Sequence, residues 1–237
     1  MLLDVNAVHT YYGKSHILHG VSMQLRKGEL VCLLGRNGVG KTTTMKSIMG
    51  LVRPESGTII FNGEELIGKP AHEIARLGVG IVPETRRIFG SLTVHENLLI
   101  GAKSPRHSDH TGPTWTLDRV YDSFPMLKKR QSNKGKHLSG GEQQALTVAR
   151  TLMGNPELIL VDEPTEGLAP LIVKDVLDML SRVRESGVTV LMVEQNFNAA
   201  IKVADRFYIM GKGHIVFDGD EKTLLEAEDV RKTYLEV

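Results

Sequence analysis

The spacing of hydrophobic positions changes along the chain, and each spacing predicts a different kind of element. Short apolar or alternating runs predict strands at 2–9, 17–25, 29–34, 58–61 and 79–82. One helix is predicted at 40–50, where Met45, Ile48 and Met49 recur at helical spacing. The first third of the chain is therefore predicted to be mainly β.

The middle third has the pattern of helices. Helices are predicted at 93–101, 117–130 and 140–153, and the last of these ends at Gly154 and Pro156. Residues 103–115 are polar and contain Pro and Gly, which predicts a surface loop. His107 and His110 lie in that loop without further ligands at metal-binding spacing, so no metal site is expected there.

Strands and helices alternate in the last third. The pattern predicts strand 157–162, helix 170–186, strand 188–193, helix 197–203, strands 206–210 and 214–217, and terminal helices. Strand–helix alternation indicates parallel strands with helices on both faces of the sheet. The predicted fold class is α/β.

The composition is that of an ordinary globular protein of one domain. The chain has 237 residues, of which 41% are hydrophobic and 24% charged, and its net charge is +1. This balance gives no indication of nucleic acid as a partner. No signal peptide and no transmembrane helix are expected from the apolar runs, so a role at a membrane would require docking onto other subunits.

A phosphate-binding loop is predicted at 35–42, GRNGVGKT. Gly35, Gly40, Lys41 and Thr42 match the G-x-x-x-x-G-K-[ST] pattern between a predicted strand and a predicted helix. Chance would produce four such positions in a chain of this length about one time in a hundred. The backbone N–H groups would face phosphate oxygens, and Lys41 would reach the β- and γ-phosphates. The candidate nucleotide-binding residues of the loop are Gly35, Arg36, Asn37, Gly38, Val39, Gly40, Lys41, Thr42 and Thr43.

Two acids follow a buried strand in LILVDE, residues 158–163. Asp162 would hold Mg²⁺ together with the Thr42 hydroxyl, directly or through water. Glu163 would polarise the water that attacks the γ-phosphate. For this segment alone, an acid that merely caps the strand end explains the sequence about as well as a metal ligand does. Beside a phosphate loop, the metal-ligand explanation is favoured.

A third motif narrows the class, because LSGGE at 138–142 resembles the LSGGQ signature of the ABC ATPase family. Ser139 is suited to cap the helix that follows, and Gly140 and Gly141 permit close approach of a phosphate to the backbone. Glu142 replaces the usual glutamine. The resemblance covers the whole chain in family order.

This resemblance implies a fold and a domain organisation. The fold would be a phosphate-loop NTPase (RecA-like) core with an N-terminal antiparallel β subdomain and an inserted α-helical subdomain. Residues 1–237 would form a single ABC ATPase domain. Its nucleotide-binding core would comprise 1–85 and 155–237, and 86–154 would form the helical subdomain, which carries the signature and faces the membrane subunits.

The resemblance also implies a composite active site in a head-to-tail dimer with two ATP molecules at the interface. The signature residues Ser139, Gly140, Gly141 and Glu142 would contact the ATP bound by the partner subunit. Tyr12 falls where the family has an aromatic residue that stacks on adenine, and Tyr11 is the competing candidate.

Three positions depart from the usual family pattern. Glu84 replaces a glutamine that senses Mg²⁺, Ala169 replaces an aspartate that crosses the dimer interface, and Gln195 replaces a histidine that contacts the γ-phosphate. Glu84 can still bind Mg²⁺. Gln195 can donate a hydrogen bond to phosphate but cannot carry a proton at neutral pH, so its catalytic role would be limited to hydrogen bonding.

Together these departures resemble a subfamily, the F-type ATPase of the branched-chain amino acid importer, through PE-x-RRIF, EGLAP and VEQN. Such a protein is peripheral, on the cytoplasmic face of the membrane. Its implied partners are two transmembrane permeases, a periplasmic solute-binding protein and a G-type ATPase subunit, and the isolated chain would be monomeric or weakly homodimeric.

Three alternatives remain open. A urea importer ATPase is similar but usually keeps glutamine where this chain has Glu84. A soluble ABC ATPase acting on nucleic acid or the ribosome is disfavoured by the single cassette and the near-neutral charge. The third alternative is a regulatory cassette that binds ATP but hydrolyses it poorly.

Overall fold

Two β-sheets organise the part of the chain that the computed structural model describes, residues 1–103 and 114–235. Strands in chain order are β1 Leu3–Tyr12, β2 Ser15–Leu25, β3 Leu30–Leu34, β4 Ser56–Phe61, β5 Glu64–Glu65, β6 Val79–Val82, β7 Leu158–Asp162, β8 Thr189–Glu194, β9 Arg206–Gly211 and β10 His214–Gly219. Helices are α1 Lys41–Ile48, α2 Ala71–Arg76, α3 Val94–Gly101, α4 Leu117–Ser123, α5 Pro125–Lys129, α6 Gly140–Leu152, α7 Pro170–Glu185, α8 Phe197–Ala200, α9 Glu221–Glu226 and α10 Glu228–Tyr234. His107 and His110 lie outside the described residues.

The larger sheet has the strand order β10-β9-β3-β8-β7-β6. All neighbouring strands are parallel except β10, which is antiparallel to β9. Every residue of β3, β7 and β8 is buried, as expected for strands covered on both faces. In the register, Leu34 pairs with Glu194 and Val193 pairs with Asp162. The carboxyl ends of β3, β8 and β7 therefore meet at one edge of the sheet.

The smaller sheet is antiparallel, with the order β2-β1-β4-β5. Alternate residues of β3 point to opposite faces of the larger sheet and pack in two different hydrophobic clusters. Leu30, Cys32 and Leu34 pack in a cluster with α6 and α7, whereas Val31 and Leu33 pack in a second cluster with α1 and the smaller sheet. The core therefore has two layers, one on each face of the larger sheet.

Helices α3 to α6 are inserted between β6 and β7. Two of them begin with capping boxes, Thr93 with Glu96 at α3 and Ser139 with Glu142 at α6. The predicted fold class, an α/β phosphate-loop core with an antiparallel β subdomain and an inserted helical part, is confirmed. No helix in the described ranges is both long and apolar enough to span a bilayer.

The structure differs from the predicted elements in places where local chemistry overrides periodicity. The predicted helix 117–130 is two helices, because Phe124 has a non-helical backbone (φ −125, ψ 69) and Pro125 begins a new helix. Helix α2 was not predicted; it follows Pro70 and buries only Ile74. Strand β1 ends at Tyr12 rather than at residue 9, and helix α8 ends at Ala200 rather than at residue 203.

Candidate nucleotide-binding site

The phosphate loop connects β3 to α1 and needs glycine for steric reasons. Gly35 has φ 155, and a Cβ there would lie 2.6 Å from the Met210 carbonyl oxygen. Gly40 has φ 114, and a Cβ there would lie 2.9 Å from Leu18 Cδ2. Both positions combine a left-handed backbone with no space for a side chain. The loop is therefore wedged between the two sheets with its curled backbone fixed.

Lys41 is buried at the start of α1, with 4% of its surface exposed. Its Nζ donates to the carbonyl oxygens of Gly35 (2.9 Å) and Arg36 (3.1 Å) and forms an ion pair with Glu163 Oε1 at 3.2 Å. These three acceptors match the three N–H donors of an ammonium group. The cation of the loop is thus held where β3 and β7 end.

Thr42 and Asp162 meet at the same edge. The Thr42 hydroxyl donates a hydrogen bond to Asp162 Oδ1 at 3.1 Å. Burial raises the pKa of Asp162 above its ordinary value, and the carboxylates of Glu163 and Glu84 raise it further, while the Thr42 hydrogen bond opposes the shift. A carboxylate in such surroundings is stabilised by a nearby cation.

Glu163 follows directly and has an unusual backbone, with φ 43. Its backbone N–H donates to the Val193 carbonyl oxygen at 3.0 Å, which ties this turn to β8. A hydrogen bond with the Glu163 carboxyl raises the pKa of Glu166, and Glu84 adds to that shift. Asp162, Glu163, Glu166 and Glu84 therefore share one region of negative potential around Lys41.

Glu194 is a buried acid of the site that sequence reasoning did not single out. Its Oε1 accepts hydrogen bonds from the Thr165 N–H (3.1 Å) and hydroxyl (2.7 Å), and its Oε2 accepts from the N–H groups of Gln195 (3.2 Å) and Asn196 (3.4 Å). Burial raises its pKa, and these hydrogen bonds oppose the shift. The signal was present, because Glu194 ends the apolar strand TVLMVE as Asp162 ends LILVD. Glu194 thus connects the loop after β7 to the segment that contains Gln195.

The raised pKa of Glu194 gives a testable pH dependence. Above the ordinary glutamate pKa, the folded protein holds this proton more tightly than the unfolded chain does, so the contribution of Glu194 to stability falls as pH rises. The Glu194→Gln variant lacks that titration. Its unfolding free energy minus that of the wild type should therefore become more positive as pH rises above about 4.5. Urea unfolding at several pH values measures this difference, and a constant difference would contradict the assignment.

The two candidate aromatics at the end of β1 differ in their surroundings. The Tyr11 ring stacks on His16, with 4.1 Å between ring centroids and 10° between planes. Tyr12 is 46% exposed, and the structure shows no ring partner for it among the described residues. Tyr12 therefore presents the more accessible ring.

The signature residues form a helix cap. Ser139 Oγ accepts from the Glu142 N–H at 3.3 Å, and the Glu142 carboxylate accepts from the Ser139 N–H at 2.8 Å. Arg130 donates to Glu142 at 3.3 Å, and the Ser139 N–H holds the pKa of Glu142 below its ordinary value. The glutamate at this place is thus bound within the cap.

Some of the predicted site residues contact one another in the structure, whereas others lie nearby without a side-chain contact to the site. Lys41, Thr42, Asp162 and Glu163 are linked by hydrogen bonds or an ion pair. Glu84 is exposed and acts on the site through its charge, while Gln195 is exposed beside buried Glu194. The roles given to these residues stay predictions.

Comparison with known proteins identifies the class. Residues 18–166 match the ABC transporter family. The chain is 43% identical over 234 residues to the high-affinity branched-chain amino acid transport ATP-binding protein BraG of Pseudomonas aeruginosa, covering 99% of both chains. It is 35% identical over 222 residues to a probable branched-chain amino acid transport ATP-binding protein LivF of Archaeoglobus fulgidus, covering 93% of each.

Other similarities are to the lipopolysaccharide export ATP-binding protein LptB of Escherichia coli and to solved cassettes. The LptB identity is 34% over 230 residues, covering 97% of this chain and 95% of LptB. An ABC transporter cassette solved in an ADP conformation has a TM-score of 0.85 at 26% identity, covering 98% of this chain and 97% of the cassette. A nucleotide-free cassette has a TM-score of 0.84, also at 26% identity, with coverage of 97% and 96%.

The chain therefore belongs to the ABC transporter ATP-binding family. It binds and hydrolyses ATP, and its family works with transmembrane permease components. The predicted resemblance to ABC ATPases is confirmed.

Proposed function

We propose that this chain hydrolyses ATP to power the import of branched-chain or related hydrophobic amino acids. The observation that carries the proposal is the similarity to the branched-chain amino acid transport protein BraG over 99% of both chains. The LivF similarity supports it, as do the segments PE-x-RRIF, EGLAP and VEQN.

ATP binding follows from the geometry of the loop. The N–H groups of residues 35–43 and the positive end of α1 attract phosphate oxygens. Lys41 Nζ exchanges its contacts with Gly35, Arg36 and Glu163 for the β- and γ-phosphates. Tyr12 stacks on adenine, because its ring is exposed and Tyr11 is already stacked on His16.

The residues at this edge fit Mg²⁺. Thr42 Oγ1 and Asp162 Oδ1 are adjacent oxygen donors, of the kind that Mg²⁺ prefers, and the cluster of carboxylates favours a dication. Thr42 and Asp162 would hold it, with Glu84 as a third donor. The described residues include no group of three or more acidic, His or Cys side chains that could hold a metal ion by themselves. Mg²⁺ held there would neutralise the charge that develops on the phosphate oxygens.

Water activation is assigned to Glu163. Once Lys41 turns to the phosphates, the Glu163 carboxylate loses its ion pair and becomes available to accept a proton from water. Burial of both side chains keeps this acceptor in a region of low dielectric. Gln195, placed by the hydrogen bond of its N–H to Glu194, would donate its side-chain amide to the γ-phosphate.

The domain organisation proposed is a core of 1–85 and 155–237 with a helical lobe of 86–154. In the closed dimer, Ser139, Gly140, Gly141 and Glu142 contact the ATP of the partner subunit. The natural partner would be a G-type ATPase subunit, with a homodimer as the weaker alternative.

The protein would be peripheral on the cytoplasmic face of the membrane, bound to two permeases that receive solute from a periplasmic binding protein. Exposed apolar side chains in and before α3 support docking at the helical lobe. Phe89, Leu99 and Ile100 are 46%, 49% and 55% exposed, and exposed apolar surface of this kind is common where proteins bind one another.

Reconstitution in proteoliposomes tests the solute. The chain would be assembled with its permeases and partner ATPase, and the binding protein would be added with leucine or with urea. We expect leucine to stimulate ATP hydrolysis and to accumulate in an ATP-dependent manner, whereas urea does neither. Stimulation by urea alone, or by lipopolysaccharide alone as the LptB similarity would suggest, would contradict the proposal.

A further inference from the structure

Arg86 lies between β6 and α3, and its side chain reaches the beginning of α6. Its Nη1 lies 3.4 Å, and its Cζ 3.9 Å, from the position that a Cβ at Gly140 would occupy. Because Gly140 has no side chain, the guanidinium lies close to the backbone of the signature. The cation is therefore beside the residues proposed to meet the partner's ATP.

The backbone at Arg86 is in a left-handed conformation that non-glycine residues rarely adopt. Arg86 has φ 59, and the next residue, Arg87, has φ 45. Two side chains of α6 bind this turn, since Thr147 Oγ1 donates to the Arg86 carbonyl oxygen at 2.9 Å and Arg150 Nη2 donates to it at 3.4 Å. Helix α6 thus holds the turn that directs Arg86 toward the first turn of that same helix.

The guanidinium of Arg86 lacks a counter-charge within residues 1–103 and 114–235. Its Nε is buried and has no hydrogen-bond partner there, and no ion pair is formed. The nearest acid of the signature, Glu142, is already bound by the Ser139 N–H and by Arg130. A cation beside the positive end of a helix is unfavourable by itself and becomes favourable when an anion binds to both.

We propose that Arg86 is a catalytic residue in trans, which binds the γ-phosphate of the ATP held by the partner subunit. This inference rests on the composite site of the proposed function. The guanidinium and the N–H groups at Gly140 and Gly141 would face the same phosphate oxygens, and their hydrogen bonds would strengthen as charge develops in the transition state. The sequence segment PE-x-RRIF would then supply two different groups, Glu84 to this chain's own Mg²⁺ and Arg86 to the partner's nucleotide.

The first turnover at the partner's ATP tests this role in the assembled transporter. This chain would carry Glu163→Gln, so that ADP forms first at the site that contains the partner's phosphate loop and this chain's signature. We expect Arg86→Gln to slow that step by on the order of 10²-fold. This substitution keeps most of the side-chain volume but removes the charge. Arg87→Gln, the matched control, should change it by less than about twofold, as expected for an exposed surface position.

Two further measurements separate a phosphate contact from a structural role. Arg86→Gln should leave the ATP affinity of the isolated chain unchanged, because its own phosphate loop does not include Arg86. Arg86→Lys should recover part of the lost rate, because it keeps the charge without the planar fork. If Arg86→Gln does not fold, Arg86→Met takes its place, because it keeps much of the apolar stem without the charge, and a wild-type rate in that variant would overturn the inference.

The outcomes distinguish this inference from the proposed function. If Ser139→Arg stops the partner's turnover and Arg86→Gln does not slow it, Arg86 is not a phosphate ligand and the composite site stands. If neither substitution has an effect, or the assembly without them forms no ADP at the partner's site, the composite site itself is wrong. An equal loss from Arg86→Gln and Arg87→Gln would also overturn the role of Arg86.

Discussion

Replacing Glu163 with glutamine should leave ATP binding intact while lowering hydrolysis by on the order of 10²–10⁴-fold. The amide keeps the size of the side chain but cannot accept a proton from water. Its loss of charge also removes the ion pair with Lys41, which frees the ammonium for phosphate. Calorimetry gives the ATP affinity, and phosphate release in the assembled transporter gives the turnover.

Glu166→Gln is the matched control for this experiment. The Glu166 N–H donates to the Glu163 carbonyl oxygen at 3.2 Å, and the Glu163 carboxylate raises the pKa of Glu166. Its replacement therefore alters the same region of negative potential without removing the proposed base. Its turnover should fall far less than that of Glu163→Gln. Near wild-type turnover in Glu163→Gln would show that the base lies elsewhere.

Lys41→Ala should abolish ATP binding as measured by calorimetry. Removing one partner of a buried charge contact with a phosphate costs affinity on the order of 10²-fold or more. Lys41 has 3% of its side chain exposed and is the first residue of α1, so its ammonium group is fixed beside the phosphate loop. An ATP affinity equal to that of the wild type would refute the role of Lys41.

The single substitution also leaves the buried Glu163 carboxylate without its ion-pair partner, which destabilises the fold by itself. The double variant Lys41→Ala with Glu163→Gln removes both charges. It should fold more stably than Lys41→Ala in urea titrations, and it should still fail to bind ATP. Restored binding in the double variant would mean that the uncompensated carboxylate, rather than the missing cation, had blocked the nucleotide.

The parts of the site that sequence reasoning predicted are those that local patterns determine. The glycine spacing of 35–42 and the acid after an apolar strand each specify a backbone turn or a strand end. The parallel sheet then brings Thr42 and Asp162 together, because β3 and β7 both end at one edge. The α/β class followed from the same periodicity.

The parts that were missed depend on contacts distant in sequence. Arg86 lies close to Gly140 although the two residues are 54 positions apart in the sequence. Hydrogen bonds from α6 hold the turn at Arg86, and no local sequence pattern indicates them. Glu194 was visible as a strand-end acid, but its bonds to Thr165 follow from the neighbouring strands. The break at Phe124 was indicated by Pro125, since the residue before proline disfavours helix, and apolar periodicity concealed it.

The central claim, that each ATP is hydrolysed between the phosphate loop of one subunit and the signature of the other, is tested most directly by one mixed assembly. This chain would carry Glu163→Gln, and its partner subunit would keep an active base. The rate of the first ADP formed is then measured with and without Ser139→Arg in this chain. The added charge and bulk lie at the beginning of α6, so this chain's own ATP affinity should stay nearly unchanged while the partner's turnover stops. An unaffected partner turnover would show that the signature does not act in trans and that the dimer account is wrong.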